Sequence, residues 1–381
     1  MKLAYISPSV LPSRSANSVH VMQQCEALGK LGVDVTLFAK RAERADAGLR
    51  DTLRKVYGVG LERVSLSTVY TPWSRADNLS IAAHAFFRVL TSGFDAVLSR
   101  NLFASFLLAI AGRTPLIVEV HQVESGLRGW MQRIACRGRK VAVVVISEQL
   151  GRDLAERVGL GGAPMHVLHD AAPDAVLPTA QERREWRGEL AVEPEERERF
   201  TCGYVGHLYP GRGIEIIEGL ARECPDLLFL AIGGNEADVE QRRHSNTAPN
   251  LRFLGYVPHP LARRAMSAID LLLLPYQAKV SIGVAGQDTG RWMSPMKMFE
   301  YMASGTPFLA SDLPVLREVL RDGDNAVLVR PDDPSAWRRS ILALRDDPAR
   351  RQALADRAYG QYAANYTWRG RAKRIIALAG I

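Results

Sequence analysis

Runs of apolar residues alternate with helix-length amphipathic segments through most of the chain. Residues 18–30 repeat apolar side chains at helical spacing, at Val21, Cys25 and Leu28. Apolar runs typical of buried strands lie at 2–7, 33–38, 96–99, 116–120 and 141–146. Buried strands that alternate with helices are typical of a parallel sheet wrapped by helices. The pattern therefore predicts an α/β domain that ends near Pro173.

A second α/β run follows a polar, charge-dense segment. Residues 174–198 are rich in Glu and Arg, which indicates a linker with some helix. Beyond it, helical patterns cover 214–223 and 261–268, and the apolar runs lie at 201–205, 227–232, 251–254, 270–274, 308–310 and 326–329. Ligands of such sheets bind at the carboxyl ends of the strands. We therefore expect two Rossmann-like, doubly wound domains whose ligand site lies in the cleft between them.

The bulk composition agrees with two globular domains. The chain has 381 residues, of which 47% are hydrophobic and 24% are charged. Its four cysteines include no CxxC pair, which argues against zinc sites and disulfides and favours a reducing cytoplasm. The first residues lack the length of a signal peptide, and the apolar stretch 102–111 is shorter than the about 20 residues that a bilayer requires. We expect a cytoplasmic protein without a membrane span.

Positive charge is concentrated in the first half. Residues 1–170 hold 21 Lys and Arg against 14 Asp and Glu, out of 49 and 41 in the whole chain. In the stretch 126–140 every charged residue is basic, and apolar residues such as Leu127 and Trp130 lie between them. Such a helix suits peripheral contact with an anionic membrane at its inner face or packing against the first lobe, and we favour packing. No recognised nucleic-acid motif accompanies the charge, so we expect no nucleic-acid partner.

One lysine lies where a helix start disfavours it. Ser294 suits the N-cap, Pro295 the first helical position and Gly305 the left-handed residue that ends the helix. Lys297 would then lie in the first turn, where free N–H groups already carry about half a positive charge. A bound phosphate would reverse the sign of that interaction. Glu300 shares a helical face with Lys297, so the two predict either a nucleoside diphosphate site or an ordinary ion pair.

A glycine-rich turn, residues 206–213, follows a strand and opens a helix. Its glycines let the backbone approach a ligand, and Arg212 projects a fork of hydrogen-bond donors. The turn is neither a P-loop nor a GxGxxG fingerprint. By itself, a glycine-rich turn of this kind more often has only a structural role. Together with Lys297 it predicts a second position for an anion.

The order of these motifs resembles glycosyltransferase family 4, retaining enzymes with the two-domain GT-B fold, over nearly the whole chain. The family's Gly-Arg-Leu-x-x-x-Lys-Gly stretch is similar to residues 206–213, with His207 in place of its arginine and Arg212 in place of its lysine. The family's Glu-Ala-Met-Ala-x-Gly helix end resembles residues 300–305. A Ser-Pro-x-Lys-x-Phe-Glu-Tyr-Met-Ala variant, found here at 294–303, is familiar in polysaccharide-assembly transferases.

The resemblance implies an arrangement of domains. The acceptor side would be 1–173 and the donor side 199–361, joined by 174–198. Residues 362–381, with a helix at 368–378, would pack back on the N-terminal domain.

The resemblance also implies roles for individual residues. Arg212 and Lys297 would bind the donor pyrophosphate as catalytic cations, and His121 would lie beside the transferred hexose. Donor-binding positions are Gly206, His207, Arg212, Gly233, Tyr256, Asp288, Thr289, Ser294, Pro295, Met296, Lys297 and Glu300, the last for the ribose hydroxyls. The acceptor or phosphate loop would comprise Ala16, Asn17 and Ser18, where the family often has a Gly-Gly turn; a plain Ser or Asn helix cap is the alternative interpretation of this segment.

One position departs from the family pattern. The family's Glu-x7-Glu spacing would put its first glutamate at position 292, which is Trp292 here. Asp288 or Thr289 is then expected to contact the donor sugar instead.

The function implied is a retaining glycosyltransferase that moves a sugar from a nucleotide-diphosphate sugar to a glycan, lipid-linked or small-molecule acceptor, in cell-surface polysaccharide or glycoconjugate biosynthesis. No cluster of His, Cys and Asp has metal-ligand spacing, so no metal or other cofactor is expected. Two alternatives remain: a GT-B nucleotide-sugar epimerase, and a degenerate scaffold suggested by Trp292 and His207.

Overall fold

Two compact units make up the protein. Unit 1 comprises Met1–Pro173 and Thr367–Ile381, and unit 2 comprises Asp174–Tyr366. The computed structural model describes residues 1–42, 48–70, 77–138, 140–190, 193–281 and 290–380.

Unit 1 is built on a parallel sheet. Its strands are β1 (Lys2–Leu11), β2 (Asp34–Arg41), β3 (Val64–Val69), β4 (Ala96–Ser99), β5 (Leu116–Val120), β6 (Val141–Val145) and β7 (Met165–Val167). Over the described residues they form one seven-stranded sheet in the order β3-β2-β1-β4-β5-β6-β7. The order reverses between β1 and β4, which pair in parallel from Leu3 with Ala96 to Ile6 with Ser99. The carboxyl ends of β1 and β4 therefore mark a topological switch point, where such folds bind ligands.

Helices cover the sheet of unit 1. They are α1 (Ala16–Lys30), α2 (Leu49–Tyr57), α3 (Asp77–Thr91), α4 (Leu102–Ala111), α5 (Gly126–Ala135) and α6 (Glu148–Arg157). Several start at a polar cap: the side chains of Ser15, Asn101 and Ser147 each accept a hydrogen bond from a first-turn amide of their helix. Apolar strands and capped helices thus arise from local sequence, as the alternating pattern predicts.

Unit 2 repeats the architecture. Its strands are β8 (Thr201–Val205), β9 (Leu228–Ile232), β10 (Leu251–Gly255), β11 (Leu271–Leu274), β12 (Phe308–Ser311) and β13 (Val327–Val329). Within the described residues the sheet order is β10-β9-β8-β11-β12-β13, all parallel. This order reverses between β8 and β11, so a second switch point lies at their carboxyl ends.

The helices of unit 2 surround this sheet. They are α7 (Ala180–Glu189), α8 (Ile214–Glu223), α9 (Glu236–Ser245), α10 (His259–Ala268), α11 (Met296–Ala303), α12 (Pro334–Arg345) and α13 (Pro348–Asn365). One face of the sheet forms a core in which Tyr204, Phe229 and Leu273 pack with Trp337 of α12.

Two boundaries differ from the predicted domains. The segment 174–198 belongs to unit 2 and carries α7, because Arg187 pairs with Asp270 at 2.8 Å and ties that helix to the sheet. The final segment starts at Thr367, since α13 continues to Asn365. The last helix, α14 (Trp368–Leu378), packs in unit 1, where Arg371 donates to Gln24 of α1 at 2.7 Å.

Two strands escaped prediction. β3 alternates polar and apolar residues at the sheet edge, and β7 has three residues, so neither carries a continuous apolar run. No helix in the described parts of the chain combines the length and apolarity that crossing a bilayer demands.

Candidate active site

The predicted donor residues of unit 2 collect at its switch point. The turn that contains Gly206 and Arg212 leaves the carboxyl end of β8, and Tyr276 follows the adjacent β11. Gly233 follows β9 on the other side. Lys297, in the first turn of α11, reaches the same place, because a Cβ built on Gly206 would lie 2.5 Å from its Nζ. Residues distant in the chain thus form one cluster, which we call the cation cluster: Arg212, Lys297, Gly206, Tyr204 and Tyr276.

The start of α11 differs by one residue from the prediction. Pro295 is the N-cap, with an extended backbone (φ −75°, ψ 115°), and Met296 is the first helical residue. Ser294 lies before the helix, so its predicted capping role is wrong, because the ring of Pro295 occupies the cap position itself. Lys297 still falls in the first turn, as the second helical residue. Gly305 adopts the predicted left-handed conformation after the helix (φ +66°).

Lys297 is a buried cation without an acceptor. Its Nζ has no hydrogen-bond partner in the part of the chain that the structure describes. It lies 3.9 Å from the ring centre of Tyr204 and 5.1 Å from that of Tyr276, so aromatic faces replace water around the charge. Burial, and then the neighbouring charge of Arg212, hold the pKa of Lys297 well below its usual range. A bound anion would offset both the desolvation of the ammonium and its repulsion by Arg212.

Glu300 does not form the ordinary ion pair with Lys297. Its Oε1 instead lies 2.5 Å from Nε2 of His259, the first residue of α10. Burial alone would raise the pKa of Glu300, but His259 holds it below its usual range. Although Lys297 and Glu300 are three residues apart on one helix, their side chains therefore do not form an ion pair.

Arg212 completes the positive charge of the cluster. Its Nη1 donates to the hydroxyl of Tyr276 at 2.8 Å, and its guanidinium lies 5.2 Å from the centre of that ring. The Nε atom is buried without a hydrogen-bond partner in the described residues. Two cations thus share the side chain of Tyr276, and no carboxylate pairs with either of them in the described chain.

Glycines at this edge permit close backbone packing. Gly233 has φ +115°, and a Cβ there would lie 2.3 Å from the carbonyl oxygen of Gly206. Its amide donates to the carbonyl of Gly255 at 2.7 Å. The turns after β8, β9 and β10 therefore contact one another through backbone atoms of Gly206, Gly233 and Gly255, and Gly206 belongs to the cation cluster.

The remaining predicted donor residues are His207, Tyr256, Asp288 and Thr289. His207 stacks on Tyr209, with ring centroids 4.8 Å apart, and its carbonyl accepts from the hydroxyl of Tyr204. Tyr256 follows β10 and is 39% exposed. Asp288 and Thr289 lie outside the described residues.

In unit 1, His121 directly follows β5 and joins a buried charge cluster. Its Nε2 lies 2.7 Å from Oε1 of Glu119, and its Nδ1 lies 3.4 Å from Nη2 of Arg100. These partners fit a neutral ring that donates from Nε2 and accepts at Nδ1. Burial, and then the charge of Arg100, lower the pKa of His121 to about 4. Contact of a ring nitrogen with a sugar hydroxyl requires exchange of one of these partners.

Glu119 is the centre of that cluster. It is fully buried, and Arg371 of α14 lies 3.2 Å from its Oε2. Arg100 and His20 lie 3.5 Å and 3.1 Å from its Oε1. Burial alone would raise the pKa of Glu119, but Arg371, His20 and Arg100 hold it well below its usual range. The carboxylate therefore stays ionised and fixes the orientation of His121.

His20 extends the network to a second carboxylate. Its Nδ1 lies 2.9 Å from Oδ1 of Asp170, and its ring lies edge-on to Trp368 with centroids 4.8 Å apart. Helices α1 and α14 and strand β5 thus meet through polar side chains.

The predicted acceptor loop is the first turn of α1. Ser15 is the N-cap, and Ala16, Asn17 and Ser18 are the first three helical residues. The Ser18 hydroxyl donates to the carbonyl of Val10 at 2.9 Å. The segment is thus a capped helix start, the alternative interpretation of these residues, and its contact with an acceptor or phosphate stays a prediction.

Sequence reasoning missed several members of both clusters. Tyr204 lies inside an apolar strand, and Arg371 lies in a helix with several basic residues, so neither carried a local signal. Asp322-Gly323-Asp324 is an Asp-x-Asp sequence that the search for metal-binding motifs overlooked. Asp322 accepts from the amide of Leu328 and Asp324 pairs with Arg357, both at 2.8 Å, so these carboxylates have structural partners. Among the described residues, no group of three or more His, Cys, Asp and Glu is arranged to hold a metal ion.

Family models match both halves of the chain. The model for Glycosyltransferase Family 4 matches residues 18–172, and the model for Glycosyl transferases group 1 matches residues 199–347. The first match contains His121, Glu119 and Arg100 but not Arg371, and the second contains the whole cation cluster.

Curated relatives share parts of the sequence. A phosphatidyl-myo-inositol mannosyltransferase of Mycolicibacterium smegmatis is 30% identical over 177 residues, 45% of this chain and 42% of the relative. The match thus spans less than half the length of that relative. A D-inositol 3-phosphate glycosyltransferase of Mycobacterium marinum is 23% identical over 94% of this chain and 80% of the relative.

Solved structures share the fold. Anabaena HepE in complex with UDP superimposes with a TM-score of 0.73 at 17% identity, over 100% of both chains. A sucrose-phosphate synthase from Thermosynechococcus elongatus gives 0.73 at 16% identity, over 99% of this chain and 98% of that one. The chain therefore has the GT-B fold, and the matches at 18–172 and 199–347 support a glycosyltransferase of the family 4 type.

Proposed function

We propose that the protein is a retaining glycosyltransferase that uses a nucleotide-diphosphate sugar as donor. Its acceptor would be a glycan, a lipid-linked glycan or a small molecule in cell-surface polysaccharide or glycoconjugate biosynthesis. The single observation that carries the proposal is the buried Lys297 ammonium, which has aromatic neighbours and no acceptor in the described residues. A pyrophosphate supplies the negative charge that this position lacks.

In this proposal the cation cluster acts on the leaving group. The bond between the sugar C1 and the β-phosphate oxygen breaks, and Arg212 and Lys297 stabilise the charge that develops on the diphosphate. The acceptor oxygen forms a bond to C1 on the face that the diphosphate leaves, and its proton passes to a phosphate oxygen. Two protein cations take the place of a divalent ion, so we propose that transfer requires no added metal. Glu300, held by His259, would accept from the ribose hydroxyls.

In this proposal His121 contacts a hydroxyl of the transferred sugar. A neutral imidazole with fixed orientation can donate to or accept from a sugar hydroxyl without adding charge near C1. Glu119 would act as a positioning residue, because it touches His121 and would not touch the substrate.

Thermal unfolding with nucleotides tests donor binding. UDP, GDP, ADP and dTDP are each added with magnesium or with EDTA to the wild type and to Lys297→Ala. A ligand at 100 times its Kd adds about 2.7 kcal/mol of stability. We expect one nucleotide to raise Tm equally with and without magnesium, and the shift to vanish in the variant. No shift with any nucleotide would favour a degenerate scaffold.

Kinetics test the catalytic role. Once a donor is identified, Lys297→Ala should lower kcat/KM by roughly a hundredfold or more, which corresponds to about 3 kcal/mol. Lys373→Ala removes an exposed lysine of α14 and should leave kcat/KM unchanged. A loss under threefold in Lys297→Ala contradicts the role. Epimerisation of the donor sugar without any acceptor would favour the epimerase.

We also propose that α5 contacts an anionic membrane surface. The preferred prediction, burial of its apolar face, holds only in part, since Leu127 is 74% and Trp130 53% exposed although Trp130 lies against Phe106. Exposed aromatic and aliphatic side chains beside the exposed Arg133 suit the interface of anionic lipids, whereas Arg128 is paired with Glu124. Cosedimentation with vesicles that contain phosphatidylglycerol should fall in Leu127→Ser with Trp130→Ser, and equal sedimentation of this variant would contradict the contact.

A further inference from the structure

An arginine-lined cavity lies in unit 2 away from the cation cluster. It has a volume of about 250 Å³ and opens beside Ser267, Asp270 and Pro307. Asp270 directly precedes β11 and Pro307 directly precedes β12, so the cavity lies at the amino ends of these strands. The cation cluster lies at the carboxyl ends of the same sheet. The two positions are therefore at opposite edges of unit 2.

Positive charge dominates the lining. The cavity contacts four arginines, Arg183, Arg184, Arg187 and Arg351, and one carboxylate, Asp270. Asp270 is used by Arg187, whose Nη2 lies 2.8 Å from its Oδ2. Four positive charges against one negative charge leave a net charge of +3 around a small space.

Arg183 is fixed at the wall without a counter-ion. Its Nη1 donates to the carbonyl of Ser267 at 2.7 Å, and its Nη2 donates to the carbonyl of Gly305 at 3.4 Å. In the described residues it has no carboxylate partner. Burial lowers the pKa of its guanidinium, yet arginine stays charged in proteins. The charge is thus partly desolvated and compensated by carbonyl dipoles alone.

Two further arginines of the lining, Arg351 and Arg184, also lack a carboxylate partner among the described residues. Arg351 donates to the carbonyls of Leu344 and Arg345, and its guanidinium lies 5.1 Å from the ring centre of Phe200. Arg184 is exposed at the rim and has no ion pair with any described residue. Three guanidinium groups around one cavity therefore have free donor capacity and no neutralising carboxylate.

We propose that this cavity binds a phosphate-bearing small molecule. Guanidinium groups bind phosphate oxygens in pairs of parallel hydrogen bonds, and several of them around one space fit a group with two negative charges. The volume is below the about 300 Å³ at which pockets for drug-sized ligands begin, so the ligand is small, of the size of free phosphate or a sugar phosphate. The site is separate from the donor site, although α11 connects them: Lys297 lies at its start, and Gly305 follows its end.

Calorimetric titration tests the site. Inorganic phosphate, glucose 6-phosphate and glucose are titrated into the wild type, Arg184→Gln, Arg222→Gln and Lys297→Ala. Arg184 is exposed, so its substitution leaves the fold intact, and Arg222 is a matched exposed arginine at the end of α8. We expect phosphate binding to weaken roughly tenfold in Arg184→Gln, and to stay within twofold in Arg222→Gln and Lys297→Ala.

Comparison of the three titrated compounds distinguishes free phosphate from a sugar phosphate as the ligand. Tighter binding of glucose 6-phosphate than of phosphate assigns a sugar phosphate, and equal binding assigns the free ion, while glucose itself should not bind. Loss of phosphate binding in Lys297→Ala with retention in Arg184→Gln would overturn the proposal, because all phosphate would then occupy the donor site. Equal affinity in all variants, or no phosphate binding at all, would overturn it as well.

Discussion

The ammonium of Lys297 lies 3.9 Å from the ring centre of Tyr204, and its Nζ has no hydrogen-bond acceptor in the described chain. A buried cation in this setting costs stability in the free protein. We therefore expect the Lys297 ammonium to be stabilised only when an anionic ligand is bound.

Replacement of this lysine should stabilise the free protein. Lys297→Met keeps the volume and removes the desolvated charge, so we expect Tm without ligand to rise by roughly 1–3 °C while nucleotide stabilisation disappears. Scanning calorimetry measures both quantities. The control Lys373→Met, at an exposed position of α14, should change neither. A fall in Tm for Lys297→Met would show that the ammonium is stabilising in the free protein.

Nucleotide binding should be linked to protonation of Lys297. Its pKa is depressed in the free protein by burial and by Arg212, and a diphosphate would raise it. Affinity is then greatest below the free pKa and falls as pH rises through the interval between the free and the bound pKa. Calorimetry in buffers of different ionisation enthalpy should detect proton uptake. In Lys297→Arg the uptake should shrink to the part that belongs to the nucleotide, and equal uptake in both proteins would contradict the linkage.

The contact of Gly233 with Gly206 should make Gly233 intolerant of a side chain. A Cβ would lie 2.3 Å from a backbone oxygen, which cannot rotate away. Gly255 is a matched control, because it also has positive φ (+77°) but nothing within 4 Å of the added Cβ. Gly233→Ala should lose about 1–2 kcal/mol more stability than Gly255→Ala in urea unfolding. Equal losses would mean that only the backbone conformation matters.

Loss of the Glu119 carboxylate should destabilise unit 1. Glu119→Gln leaves Arg371 and Arg100 without their buried counter-charge, and such losses cost about 3–5 kcal/mol. Glu124→Gln removes a carboxylate of a half-exposed pair with Arg128 and should cost no more than about 1 kcal/mol. Denaturant unfolding of the two variants provides the comparison. A similar small cost for both would show that the buried network contributes little.

Stability should depend on pH through His121. Its pKa is lowered to about 4, below the about 6.5 of an unfolded chain, so the unfolded state binds more protons between these values. The free energy of unfolding should therefore fall as pH drops from 6.5 towards 4. Between pH 6.5 and 4.5, Glu119 and Asp170 contribute little, because their lowered pKa values place their effect at lower pH.

Two histidine variants isolate this effect. His121→Gln should flatten the dependence of unfolding free energy on pH in that interval. His244→Gln, at an exposed position of α9, should keep the slope of the wild type. An unchanged slope in His121→Gln would assign the pH dependence to other groups.

The sequence by itself predicted several buried strands and placed Lys297 in the first turn of a helix. Strands 96–99, 116–120 and 201–205 have the bounds that the apolar runs predicted, because strands buried on both faces are mostly apolar, with the buried Glu119 of β5 as an exception. As the sequence predicted, Lys297 lies in the first turn of α11, a position where a cation is unfavourable. Ser294 was misplaced by one residue because Ser and Pro both suit a helix start.

Only the tertiary structure decided which partners these residues have. Glu300 pairs with His259 instead of Lys297, because the fold brings α10 beside α11 and helical spacing alone does not choose between partners. Glu119 contacts Arg371, which lies near the other end of the chain, and four arginines line one cavity at the amino ends of the strands of unit 2. Local sequence specifies helices and strands through short-range sterics and hydrogen bonds. Partners distant in the chain are set by how the elements pack, and packing depends on the whole core.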